Sequence, residues 1–276
     1  MISRRALLAS TAAAAAASQV ELGAATPEKA KFHLGVASYS FRKFSRAQAI
    51  QMTKELGVTW IDIKDFHLPL TSTPDEIGAA RKEFEDAGLY IEGGGNISFP
   101  KPDEADIRHK FEYAKLAGFP LIVCAPTHES LPVVEKFVKE YNIKIAIHNH
   151  GPEDHNFPTP QSALEAVKHM DPRCGLCIDI GHTARTGAGI IESIQMAGPR
   201  LFSMHFKDLA DMSSRESQVA VGDGKLPIRG IFAQLIEMGY SGGAMLEYEI
   251  HADDPMPGMQ KSFAFMRGVL AGMQAV

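Results

Sequence analysis

Cysteine is scarce in this sequence, with only three residues among 276. An odd number this small does not fit the disulfide framework that stabilises small secreted domains. Cys174 and Cys177 have the spacing of a redox or zinc motif, but no second pair of this kind accompanies them. We therefore expect these two residues and Cys124 to pack as small apolar side chains.

An excess of charge of one sign and long apolar segments are lacking too. The formal net charge is -5, and no basic stripe marks a nucleic-acid-binding surface. Beyond residue 30, no apolar run approaches the length of a membrane span. We therefore expect neither nucleic acid nor, after removal of any signal, a membrane as a partner. The hydrophobic content of 45% predicts one soluble domain with a large core.

The first residues have a composition of their own. Arg4 and Arg5 precede an alanine-rich stretch that ends in small residues. This pattern predicts an export signal of the twin-arginine type over residues 1–26, and hence a periplasmic or otherwise exported protein. The alternative is an alanine-rich N-terminal helix without a targeting role.

From residue 32 onward, strand-like and helical segments alternate eight times. The first strand is predicted over 34–39 and the eighth over 244–250, and Ser45 is a good N-cap for the first helix. Eight such units predict a single-domain α/β protein over 32–276, a closed (β/α)8 TIM barrel. An open, doubly wound sheet is the competing fold. It would place a glycine-rich turn after the first strand, where Tyr39-Ser40-Phe41 stands instead.

A glycine triplet, Gly93 to Gly95, falls within the third predicted strand at 89–97. It lacks the lysine and the helix start of a phosphate-binding loop. Close approach of two backbones or a wide turn is the better interpretation. Phosphate recognition is not indicated either, because the loops after predicted strands seven and eight lack a glycine-rich helix start and an exported protein would rarely encounter sugar phosphates.

Three polar residues follow apolar runs at the ends of the last predicted strands: Asp179, His205 and Glu247. Each has the parity of a side chain that faces the barrel axis, at the end where barrel active sites lie. Buried carboxylates need a positive partner. Carboxylates with imidazole suit one divalent ion, and manganese, magnesium, cobalt, zinc and iron(II) all remain open.

The fifth strand supplies a fourth ligand less clearly. His148 has the expected position at the strand end, and His150 lies on the same face. Glu153, in the loop that follows, is a rival ligand. Strand position favours His148.

The stretches IDIGH (178–182), MHFKD (204–208) and GYSGGAMLEYE (239–249) resemble the xylose isomerase-like superfamily. This is the sugar phosphate isomerase/epimerase group, which includes D-tagatose 3-epimerase and inosose dehydratase. The resemblance implies a barrel that binds one divalent metal through a Glu, an Asp, a His and a Glu on strands five to eight. The last three correspond to Asp179, His205 and Glu247. The resemblance also implies that His182 contacts the substrate.

The fifth strand departs from this pattern, because His148-Asn149-His150 stands where many members have Glu-Asn-His. The departure puts a symmetric two-glutamate epimerisation in doubt. The resemblance still implies an enediolate, with Glu247 as base and His148, His150 or His182 as proton donor.

Two reactions follow from that intermediate. An isomerase or epimerase would act on an unphosphorylated carbohydrate. A lyase or dehydratase would act on a keto-sugar or a 3-keto-glycoside with the same metal site. Lys64, Lys207 and Glu249 have inward parity and are predicted to bind substrate, together with His150 and His182; a solvated position at the rim is the alternative for the first three.

Two other classes of protein are alternatives to an isomerase or lyase. A barrel endonuclease of the same superfamily would need more metal ligands and a DNA-binding surface, and the net charge of -5 opposes it. A non-catalytic sugar-binding barrel would need Glu247 only to retain metal. The oligomeric state is open, with a homo-oligomer among the alternatives.

Overall fold

The computed structural model describes residues 30–274, so the predicted export signal lies outside the described residues. Eight parallel strands close into a barrel in which each strand pairs with its neighbours along the chain. The first and last strands close the ring, with His33 opposite Gly243. The predicted (β/α)8 barrel is therefore confirmed. Its strands are β1 (His33–Ala37), β2 (Trp60–Ile63), β3 (Tyr90–Phe99), β4 (Leu121–Pro126), β5 (Lys144–His148), β6 (Cys174–Asp179), β7 (Leu201–Phe206) and β8 (Gly243–Leu246).

Helices surround the barrel and connect its strands. They are α1 (Arg46–Glu55), α2 (Pro74–Asp86), α3 (Glu104–Leu116), α4 (Leu131–Tyr141), α5 (Pro160–Val167), α6 (Ile180–Arg185), α7 (Ile190–Ala197), α8 (Ile228–Glu237) and α9 (Met256–Gln274). Ser45 caps α1, as predicted, by accepting a hydrogen bond from the Gln48 N–H. Within residues 30–274, no helix is long and apolar enough to cross a membrane.

The buried side chains form two layers. The larger core contains Leu176 and Ile178, which point outward from β6 towards the helices. A smaller cluster contains Cys177, Val123 and Ala146 on the opposite face of the strands, inside the barrel. All three cysteines are free and buried, in agreement with the predicted packing role.

The glycine triplet lies within a strand, because β3 runs without interruption from Tyr90 to Phe99. The wide turn considered from the sequence is therefore wrong, and close approach is correct. A Cβ at Gly93 would overlap the Leu121 carbonyl oxygen of β4, and one at Gly94 would overlap the Phe119 ring. Glycine is needed here so that β3 can pack against the next strand.

Two of the strand ends that differ from the sequence-based prediction lie beside acidic residues of the site. Strand β6 stops at Asp179, and the short helix α6 begins at once, because the Asp179 side chain caps it. Strand β8 stops at Leu246 rather than at residue 250, so Glu247 is the first residue beyond it. Asp179 and Glu247 therefore lie where their strands end, at the mouth of the barrel.

Candidate functional site

Four potential metal donors meet where the strands end at the mouth of the barrel. His148 and Asp179 are the last residues of β5 and β6, His205 lies near the end of β7, and Glu247 directly follows β8. One donor atom from each lies within 4.8 Å of the others. All four residues are buried, with Asp179 and His205 at 0% exposure. The structure thus brings together the four ligands proposed from the sequence.

The two oxygens of Asp179 have different neighbours. Oδ1 accepts a hydrogen bond from the His182 N–H at 2.7 Å and so caps α6. Oδ2 makes no hydrogen bond of good geometry within the described residues. Asn149 fixes the strand end by accepting a hydrogen bond from the Asp179 N–H at 3.0 Å and donating one to Thr183 at 3.1 Å. The capping interaction therefore uses Oδ1, so Oδ2, which lies 3.0 Å from Lys207 Nζ, is the candidate ligand atom.

Two of the three separations between neighbouring donor atoms are close to those expected around a divalent ion, and the third is longer. His205 Nδ1 lies 2.9 Å from His148 Nε2 and 3.3 Å from Glu247 Oε2. His148 Nε2 lies 3.7 Å from Asp179 Oδ2. Donors that share one ion at about 2.1 Å stand roughly 3 to 3.4 Å apart. With two imidazoles and two carboxylates, these residues suit manganese, iron(II), cobalt or zinc.

Two buried lysines flank the donor set. Lys207 Nζ lies 3.0 Å from Asp179 Oδ2, 3.1 Å from Glu247 Oε2 and 2.7 Å from Glu249 Oε1. Lys64 Nζ lies 3.4 Å from Glu247 Oε1. Burial alone would raise the pKa of Glu247, but His205, Lys207 and Lys64 lower it well below its ordinary value. Glu247 is therefore an ionised carboxylate, which is the form required of both a ligand and a base.

The histidines at the mouth are neutral at ordinary pH. Burial lowers the pKa of His182 to about 4 and also lowers the pKa of His150. Arg185 donates a hydrogen bond to His182 Nδ1 at 2.8 Å, so Nδ1 must be an acceptor and Nε2 carries the proton. His150 Nε2 lies 2.8 Å from the Asn96 amide nitrogen. These partners fix the two rings beside the donor set.

Glu153 lies apart from the four donors. Its side chain is 53% exposed, and its Oε1 accepts a hydrogen bond from Arg185 at 2.6 Å. That hydrogen bond lowers the pKa of Glu153 to about 2. Of the three strand-five candidates, the structure places only His148 among the donors; His150 lies at the mouth.

An open cavity of about 500 Å³ lies above the donor set. Lys64, Glu249 and both mouth histidines line it, as does Phe66. Phe66 is 52% exposed, and its ring lies edge-on to Tyr39 with centroids 5.7 Å apart. The cavity is concave, polar near the donors and aromatic at its rim, a combination that suits a sugar ring.

Sequence reasoning did not identify three polar side chains near the site, of which two are buried. Asp62 is completely buried, and its Oδ2 lies 3.5 Å from His205 Nε2. Glu92 lies deeper in the barrel, and Asn96 lies beside His150. Cys177 also lies within 4.8 Å of both donor histidines. Burial raises the pKa of the Cys177 thiol, so the carboxylates are the stronger donors.

The chain belongs to the xylose isomerase-like TIM barrel family, whose model matches residues 50–269. No curated protein matches the sequence significantly.

Several solved structures share the fold. An L-ribulose 3-epimerase is 16% identical, with a TM-score of 0.73, over 88% of this chain and 96% of that protein. D-psicose 3-epimerase from Clostridium cellulolyticum H10, solved with D-tagatose, is 18% identical, with a TM-score of 0.70, over 87% and 99%. The probable 3-DHS dehydratase of Bacillus anthracis is 15% identical, with a TM-score of 0.69, over 86% and 98%.

Proposed function

We propose that this protein is a divalent-metal-dependent sugar isomerase or epimerase that acts on an unphosphorylated carbohydrate. The observation that carries the proposal is the position of Glu247. Its ionised carboxylate belongs to a buried set of four donor residues and also lines the cavity. Glu247 lies at the carboxyl end of the barrel strands, which is where the catalytic groups of this fold are found.

A divalent ion held by His148, Asp179, His205 and Glu247 would polarise a substrate carbonyl and stabilise negative charge on its oxygen. Glu247 takes the proton from the carbon beside that carbonyl. The electron pair of the broken C–H bond forms a carbon–carbon double bond, and the carbonyl oxygen becomes the oxyanion of an enediolate. The ammonium groups of Lys64 and Lys207 lie beside Glu247 and offer hydrogen bonds to substrate oxygens.

The return of the proton decides the product. His182 has its Nε2 proton fixed by Arg185, and His150 lines the same cavity, so both can hold a proton near the reacting carbon. Protonation of the same carbon on its opposite face gives an epimer. Protonation of the former carbonyl carbon, with transfer of a hydroxyl proton, gives the aldose–ketose isomer.

A lyase is the second candidate, and His148 favours it. A histidine fills the fourth donor position, and Asp179 caps a helix, so Glu247 is left as the one donor carboxylate available as a base. The site therefore lacks the second carboxylate that a symmetric epimerisation would use on the opposite face of the sugar. The electron pair of the enediolate could instead expel a group from the β carbon, which would leave with a proton from His150 or His182. A 3-keto-glycoside would lose its aglycone in this way.

Deuterium exchange tests both reactions. Metal-loaded protein would be incubated in D2O with free keto-sugars and 3-keto-glycosides, and the products followed by NMR. A deuterated isomer supports the isomerase, and a released fragment supports the lyase. Glu247→Gln should slow either reaction by about 10²- to 10⁴-fold, whereas Glu129→Gln, at an exposed carboxylate after β4, should not. Absence of exchange and product with every substrate would favour a sugar-binding barrel.

Export is part of the same proposal. The paired arginines and the alanine-rich stretch at residues 1–26 support delivery outside the cytoplasm. Mass spectrometry of the mature N-terminus after cell fractionation would test it. An intact N-terminus in the cytoplasmic fraction would contradict it.

A further inference from the structure

Asp62 is a buried carboxylate on β2. It is 0% exposed, and neither of its oxygens makes a hydrogen bond of good geometry with any residue in the described part of the chain. A buried charge without such partners is costly and calls for a reason. The reason must lie among the groups that its oxygens face.

His205 is the nearest of those groups. Asp62 Oδ2 lies 3.5 Å from His205 Nε2, which itself has no hydrogen bond of good geometry among residues 30–274. The other ring nitrogen, Nδ1, points into the donor set, 2.9 Å from His148 Nε2. One imidazole therefore has one nitrogen towards the ligands and the other towards a buried carboxylate. A metal-ligating histidine is commonly held in this arrangement.

We propose that Asp62 is a positioning residue that holds His205 as a metal ligand through Nδ1 by accepting the proton of Nε2. This inference rests on the proposed metal site. A carboxylate in this position fixes the tautomer and the orientation of the ring and makes the ligating nitrogen more basic. A shift of about half an ångström brings the 3.5 Å separation to an ordinary hydrogen-bond length.

The Asp62 carboxylate has a second charged neighbour, Lys64, which also lies beside the donor Glu247. Lys64 Nζ lies 3.7 Å from Asp62 Oδ2 and 3.4 Å from Glu247 Oε1. Asp62 therefore lies behind two of the four donors, one directly and one through Lys64. A role confined to packing would not require a charge at this place, since an apolar side chain would avoid the desolvation cost.

Cobalt(II) binding to the full chain tests the proposal without a substrate. Metal-stripped wild type, Asp62→Ala and Asp62→Asn would be titrated by calorimetry, and their visible cobalt spectra compared. Asp62→Ala should weaken binding by about 10- to 100-fold and shift the d–d bands. Asp62→Asn retains an acceptor oxygen and should lie between wild type and Asp62→Ala. The melting temperature of the metal-free variants shows whether each of them remains folded, since removal of a buried charge also changes stability.

Cys177→Ala is the matched control, since Cys177 is also buried beside His205. It should leave the cobalt affinity within about threefold of wild type, a change of well under 1 kcal/mol. Equal losses in Cys177→Ala and Asp62→Ala would overturn the proposal, because the effect would then be one of packing. Wild-type affinity and spectrum in both Asp62 variants would also overturn it. A wild type that binds no cobalt would instead reject the metal site itself.

A measurement on the wild type avoids dependence on variant folding. In zinc-loaded protein with ¹⁵N-labelled histidine, His205 should show a protonated Nε2 and a metal-bound Nδ1. Metal bound through Nε2 would overturn the assignment, whatever the variants do.

Discussion

His148 Nε2 and His205 Nδ1 lie 2.9 Å apart, although their strands, β5 and β7, are separated by β6. Burial lowers the pKa of His148 well below its ordinary value. Burial also acts to lower the pKa of His205, but the neighbouring carboxylates of Glu247 and Asp62 oppose it, and that pKa is raised well above its ordinary value. Without metal, one proton therefore lies between the two rings, and it belongs to His205.

Metal loading should release that proton. A divalent ion takes the nitrogen lone pair that the proton occupies, so the affinity should rise as the pH rises and should fall in acid. Calorimetry at pH 7 in two buffers of different ionisation enthalpy measures the number of protons released, and we expect about one. An affinity independent of pH between 6 and 8, with no proton release, would show that His205 is already neutral.

Removing a metal ligand should weaken metal binding more than removing a residue that only orients a ligand. His148→Ala and Asp179→Ala should each lose more than the 10- to 100-fold in affinity expected for an outer partner. Metal content by mass spectrometry should be about one ion per wild-type chain and far less in both variants. Glu153→Gln is the control, because Glu153 is half exposed and paired with Arg185. Metal retained in His148→Ala would point to another fourth ligand.

The alternation of strands and helices in the sequence was sufficient to predict the barrel. It was also sufficient to predict that the four donor residues lie at one end of that barrel. Asp179 and Glu247 each follow an apolar run, and parity alone indicates that they face inward. That argument holds because every strand of a closed barrel has one inner and one outer face.

Asp62 and Glu92 were not identified as site residues from the sequence, although Asp62 has the same parity as Lys64 on the second strand. Each is a single charged residue in a strand where polar residues alternate with apolar ones, which is also the pattern of a solvent-facing surface. Only closure of the ring by β1 and β8 buries both. Helix α6 was missed because its six residues are too few to show a helical period.

Glu92 should make the stability of the protein depend on pH. Burial, with a contribution from Asp62, raises the pKa of Glu92 to about 8 from 4.5. The native state therefore keeps a proton that the unfolded chain releases between these two values, and the free energy of unfolding falls as the pH rises through that window.

Glu92→Gln should remove this dependence. The amide can accept from the Gly243 N–H and donate to Ser203, which hold the carboxyl group at 2.6 and 3.0 Å. Its stability should match wild type near pH 4.5 and exceed it by a few kcal/mol near pH 8. Urea unfolding across that range measures the difference. A constant difference at all pH values would mean that Glu92 does not titrate there.

Gly94 should not tolerate a methyl group. A Cβ at this position would overlap the ring of Phe119, which is 2% exposed. Gly94→Ala should lower the free energy of unfolding by about 1–3 kcal/mol or more, and Phe119→Leu should recover part of the loss in a double-mutant cycle. Gly78→Ala is the control, since open space surrounds its position in α2, and it should gain about 0.5–1 kcal/mol. Equal effects at both positions would reject the steric explanation.

Phe66 should contribute to the binding of substrates that carry an aglycone beyond the reacting sugar. Its ring is half exposed at the rim of the cavity and packs edge-on against Tyr39, so it offers an apolar face to an aglycone. Phe66→Ala should raise KM about 2- to 10-fold for an aryl 3-keto-glycoside, with little change in kcat or in KM for the free keto-sugar. Tyr90→Ala is the matched control, because Tyr90 is equally exposed but lies at the opposite end of the barrel, where β3 begins. If KM rose equally for both substrates, Phe66 would contact the reacting ring and not the aglycone.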